Sequence, residues 1–173
     1  VTFAPPSDAR PDLPAGSVYI LQPWPNYLSG KPHTGVDLYG QTRHKPVATE
    51  PGKVIAIKPG SGSQVSRIEI DGEATGTRII YKHVTARVKV GDIVNTGAVL
   101  GDYDASGRDS GWWNGYHLHF EVQTPGGGKE NDPIAYLIGL MPDITWHMRE
   151  AVLKIYQDRA YFPIMNIKDV PWG

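Results

Sequence analysis

HLHFEV, residues 117–122, is the stretch that decides the fold. Side chains repeat every two residues on a strand and every 3.6 on a helix. Leu118, Phe120 and Val122 make one apolar set, while His117, His119 and Glu121 make one titratable set, in strict alternation. The spacing predicts a strand with its apolar face on a core and its titratable face on a cleft. Two histidines at i and i+2 would stand about 6–7 Å apart, so one could ligate a metal with the other as its neighbour.

Working outward, the chain reads as many short strands divided by turns. It has 20 Gly and 15 Pro in 173 residues, enough punctuation to prevent long helices. Strands are predicted at Ser17–Leu21, Gly35–Tyr39, Lys53–Lys58 after the Pro51-Gly52 turn, Val65–Ile70, Thr77–Val84 and Val94–Leu100. That pattern predicts an all-β core, a small antiparallel sandwich or barrel. Residues 1–16, with three prolines before Pro14-Ala15-Gly16, read as an extended lead-in to a domain over 17–140. Beyond Met141-Pro142 the character changes. Asp143 or Thr145 could cap a helix running to about Tyr161, with Met148, Val152, Ile155 and Tyr156 on one face. Residues 141–173 are therefore expected to be a helical extension packed on the domain.

Composition removes several functions. The net charge is −1 and no dense Lys/Arg run occurs, so nucleic acid is not an expected partner. No apolar run is long enough for a membrane span. There is no Cys, which excludes disulfides, thiolate metal sites and Cys nucleophiles. The first residue is Val, which leaves room for a targeting segment removed upstream.

His33-Thr34-Gly35-Val36-Asp37 supplies a second titratable pair. On a straight strand His33 and Asp37 would lie about 13 Å apart, too far to share an ion. A bend near Gly35 would bring them together. Two imidazoles and one carboxylate with an open position are a usual ligand set for catalytic zinc, where a water takes the fourth place. His44 and His147 fall outside any such pattern and read as ordinary surface or packed residues.

These motifs together resemble the lysostaphin-like, or LytM-domain, zinc peptidoglycan endopeptidases. The matching stretches are HTGVDLYG (33–40), PVATEPGKVIAI (46–57), IIYKHVT (79–85), VKVGDIVNTGAVLG (88–101) and YHLHFEV (116–122), in the family's order, with NDPIAYL (131–137) as the exit. The resemblance covers roughly residues 17–137. It implies a small antiparallel β-structure with a groove over the metal. It implies one zinc ion per chain held by His33, Asp37 and His119, with His117 and His83 assisting as catalytic histidines. Both would titrate near working pH and handle the proton of a water attacking the scissile amide. Glu121 is expected to orient a ligand rather than act as the base. Tyr27 falls where some relatives carry a Tyr that holds the tetrahedral intermediate. The stretch 103–115 departs from the family, and its Trp112 and Trp113 are expected to grip substrate.

The implied activity is hydrolysis of peptide cross-links in bacterial cell wall, by a monomer outside the cytoplasm or on a phage particle. The alternative is a noncatalytic wall-binding or hydrolase-activating module on the same fold. Lipoyl- and biotinyl-type carrier domains share the 88–101 hairpin pattern, but the modified Lys is absent and His33 and Asp37 would have no purpose.

Overall fold

The computed structural model describes residues 6, 20–27, 29–40, 45–61, 64–107 and 116–140. The strands are β1 (Ile20–Gln22), β2 (Val36–Tyr39), β3 (Gly52–Lys58), β4 (Arg67–Gly72), β5 (Arg78–Lys82), β6 (Val84–Ala86), β7 (Ile93–Val94), β8 (Gly101–Tyr103), β9 (His117–Gln123) and β10 (Glu130–Asn131). Among the described residues one short α-helix, α1, spans Pro133–Gly139. The main sheet runs β1-β2-β9-β5-β4-β3-β7, with β10 also on β9, and β6 pairs β8 in a separate ribbon. All pairings are antiparallel. The path ends at β1 and β7, so the sheet is not a closed barrel. This is the all-β architecture read from the sequence.

β9 lies between β2 and β5 in the main sheet. Leu118, Phe120 and Val122 are fully buried. They join Val36 and Leu38 of β2, Ile79 and Tyr81 of β5, and Ile68 and Ile70 of β4 in one core. Each such side chain contributes roughly 1.5–3 kcal/mol on full burial. Because pairing is antiparallel, partners opposite one another share a face. Asp37 lies opposite His119, and His119 opposite Lys82. Burial of the apolar set thus forces the titratable set onto the other face.

Several elements differ from the sequence reading. Val94–Leu100 is not one strand. β7 stops at Val94, the Ala98 amide turns back to Asn95 O at 3.0 Å, and Gly97 takes φ 78°, which no strand accommodates. The Thr77–Val84 run is broken at His83, which has φ 65°. Helix α1 occupies 133–139, where no element was expected. Asp132 caps it by accepting from the amides of Ile134 and Ala135, and Pro133 opens its first turn. Ile134, Leu137 and Ile138 bury its inner face in the core. No helix among the described residues is long and apolar enough to cross a membrane. The expected helix beyond 141 and most of the 1–16 lead-in lie outside the described residues.

Candidate metal centre

His33 enters the site from the loop ahead of β2. The Pro32–Asn26 bridge and the bond from His33 N–H to Pro25 O (2.8 Å) hold its backbone. The chain bends at Thr34 and Gly35 before β2 begins, as the spacing required. Gly35 is needed there for close approach, since a Cβ would sit 2.4 Å from Phe120 O on β9. Behind the ring, His33 Nδ1 lies 2.6 Å from Pro23 O. A carbonyl only accepts, so Nδ1 carries the proton and Nε2 presents a lone pair inward. Tyr27 stacks on the same ring, centroid to centroid 3.8 Å at 21°.

His119 is oriented in the mirrored sense. Its Nε2 donates to Glu121 Oε1 at 2.8 Å, leaving Nδ1 to face inward. Glu121 is itself gripped by Lys82 Nζ and Thr34 Oγ1. The inward atoms then converge. His119 Nδ1 lies 2.9 Å from Asp37 Oδ1 and 3.0 Å from His33 Nε2, which lies 3.3 Å from Asp37 Oδ1. All three residues are buried.

That convergence is the test of fit for a metal. With both histidines neutral, three lone pairs face one another with no proton between them. Such a cluster is stable only around a positive charge. The titration tendencies agree. Burial alone would lower His119, but bonds to Asp37 and Glu121 outweigh it and raise its affinity for a proton. Burial alone would raise Asp37, yet the imidazoles of His119 and His33 beside it, which favour a proton of their own over one on the carboxylate, hold it far below the usual carboxylate range. Glu121, buried too, is brought down to about 2 by His119, Lys82 and Thr34. Two nitrogens and one carboxylate oxygen suit zinc in chemical type.

His117 and His83 flank the cluster. Their rings meet edge to face at 4.6 Å, and His83 stands 6.3 Å from the His119 ring. His117 Nε2 is 3.8 Å from Asp37 Oδ1, farther than either inward histidine nitrogen. The two strand histidines are thereby separated: His119 points into the cluster and His117 borders it. Burial, and then the neighbouring His117 and His119, push His83 down to about 4, well away from working pH. The expectation that His83 titrates near neutrality is corrected by that burial. The Tyr27 hydroxyl is raised by burial and by the negative Asp37 and Glu121, so it stays protonated.

Trp112, Trp113, His44 and His147 lie outside the described residues. Sequence reasoning missed the Pro23 carbonyl, Thr34 and Lys82. It also missed Ser106, whose Oγ is 3.0 Å from His83 Nδ1.

Comparison with known proteins places this geometry. The model of peptidase family M23 matches residues 31–133. DD-carboxypeptidase/endopeptidase Mpg of Neisseria meningitidis serogroup B is 25% identical over 139 residues, 80% of this chain and 30% of that protein. The chain thus spans about a third of the length of the curated relatives it matches. The catalytic domain of the antimicrobial peptidase lysostaphin from Staphylococcus simulans is similar at 26% identity and TM-score 0.51, covering 70% of this chain and 90% of that one. LytU is similar at 25% identity and TM-score 0.60, covering 78% and 93%. The matched span carries β2, β9 and every residue of the cluster, and the chain belongs to peptidase family M23.

Proposed function

We propose that the chain is a zinc-dependent endopeptidase that hydrolyses peptide cross-links of bacterial peptidoglycan. The observation that carries this reading is the buried cluster of three inward lone pairs with two further histidines beside it. Two similar proteins are named as an antimicrobial peptidase and a DD-carboxypeptidase/endopeptidase, which supports a wall peptide as substrate.

His33, Asp37 and His119 would hold one zinc ion. Zinc there would supply a Lewis acid for the scissile carbonyl and lower the pKa of a water. The chain's own groups divide the remaining work. His83 is neutral at working pH and can accept the proton of the attacking water. His117, at the rim beside Asp37, would pass that proton on to the leaving amine. The Tyr27 hydroxyl, kept protonated, can donate to developing negative charge. The enzyme would work where the wall is: in the periplasm, at the cell surface, after secretion, or on a phage particle. It would act as a monomer.

Replacement by alanine tests the assignment. His119→Ala should lose zinc and turnover together. His117→Ala and His83→Ala should keep one zinc per chain and lose about 10²–10⁴-fold in turnover. Elemental analysis beside hydrolysis of cross-bridge peptides reads both. An empty site in His117→Ala with a filled one in His119→Ala would reverse the roles of the two strand histidines.

A further inference from the structure

His83 is fixed at three points. Its backbone N–H donates to Ser66 O at 2.9 Å, and its carbonyl accepts from the Asp104 N–H at 3.0 Å. Its ring Nδ1 meets Ser106 Oγ at 3.0 Å. This anchorage holds a left-handed φ of 65°, a conformation that is strained for a non-glycine residue. Strain held from both sides of one histidine invites a reason in its ring.

The hydrogen count supplies one. Ser106 lies in the tight turn Ala105–Gly107. Asp104 Oδ1 accepts from the Ser106 N–H at 2.8 Å and from the Ser106 hydroxyl, and Oδ2 accepts from the Ser66 hydroxyl. Burial alone would raise the Asp104 carboxyl, but Ser106 and Ser66 outweigh it and keep it ionised. An ionised carboxylate only accepts, and a serine hydroxyl has one hydrogen to give. That hydrogen goes to Asp104. Ser106 then offers His83 only a lone pair, so Nδ1 must carry the ring proton.

We propose that Ser106, oriented by Asp104, is a positioning residue that fixes His83 as the Nδ1–H tautomer and presents Nε2 as the acceptor during peptide hydrolysis. The catalytic use of that nitrogen rests on the peptidase reading above; the tautomer does not. Asp104 and Ser106 belong to the 103–115 stretch that departs from the family pattern, so spacing alone could not have assigned them.

The test uses the full zinc-loaded chain labelled with ¹⁵N in its histidines, with H83Q to assign the His83 signals. The proton is expected on Nδ1 in the unaltered chain. Ser106→Ala should mix the tautomers and lower kcat on a cross-bridge peptide by about 10–100-fold, with KM, zinc content and melting temperature unchanged. Ser106→Thr keeps a hydroxyl and should restore both readouts, which also covers the case of a poorly folding alanine variant. A proton on Nε2 in the unaltered chain, or the same tautomer in Ser106→Ala, would overturn the proposal. So would an unchanged kcat in Ser106→Ala. Failure of the unaltered chain to cut any wall peptide would fall on the peptidase reading, and the tautomer signals would still decide the role of Ser106.

Discussion

At the scale of residues, each histidine of the cluster faces inward because an oxygen behind it has claimed its other nitrogen. For His33 that oxygen is Pro23 O, and for His119 it is Glu121 Oε1. Glu121 is therefore a positioning residue for His119. Glu121→Gln should preserve its shape but lose the charge that strengthens the His119 bond. We predict that zinc affinity, measured by competition with a chelator, falls about 10–100-fold, while kcat at saturating zinc stays close to the unaltered value. Equal affinity in the two proteins would remove Glu121 from the metal's support. His33, Asp37 and the 117/119 pair were legible as a candidate set because their residue types stand at definite spacings, and the family resemblance singled out His119 from that pair. Pro23 was not, because its backbone carbonyl has no signature in the sequence. Ser106 was hidden for a related reason: its partner His83 lies 23 positions away, and only the break after β5 brings the two together.

At the scale of elements, the strands that could be read were those with a clear alternation. β9 and β2 matched because burial of one face dictates the other. The failures came where a single residue outweighed a run of good strand formers. Gly97 turned the Val94–Leu100 stretch, His83 cut the Thr77–Val84 stretch, and Asp132-Pro133 started a helix in an apolar segment that carried no strand alternation. Gly35 is the junction on which the site depends, for it lets the bend before β2 lie against β9. A Cβ there would meet Phe120 O at 2.4 Å and Glu121 Cγ at 2.8 Å. Gly35→Ala should push this bend away from β9, cost about 1–3 kcal/mol of stability and weaken zinc retention with it. Thermal unfolding and metal analysis of the same sample check both. Unchanged values would mean that the bend relaxes without moving His33.

For the whole molecule, acid should act through buried histidine before it acts through the carboxylates. His83 has a folded pKa near 4, below its ordinary value of 6.5, because burial and the facing His117 and His119 disfavour its cation more than Asp37 and Asp104 favour it. The unfolded chain therefore binds the proton more readily between those values. Its contribution to stability is whole above pH 6.5 and is lost as pH falls through 4. Glu121, with a folded pKa near 2 against an ordinary 4.5, contributes above 4.5 and loses that contribution as pH falls toward 2. In metal-free protein, His83→Gln should flatten the fall in melting temperature between pH 6.5 and 4 and leave the lower window in place. An identical slope in both proteins would mean that His83 is not held neutral by its surroundings.

In the proposed mechanism this fold cuts wall peptides with one zinc at His33, Asp37 and His119. The most direct measurement is digestion of purified peptidoglycan by the zinc-loaded chain, with mass analysis of the soluble fragments. Fragments ending in new amino and carboxyl groups at cross-link peptide bonds are expected, with glycan strands uncut, and no release by His119→Ala or after chelation. Intact cross-links in the presence of fully zinc-loaded protein, or the same fragments from His119→Ala, would contradict it.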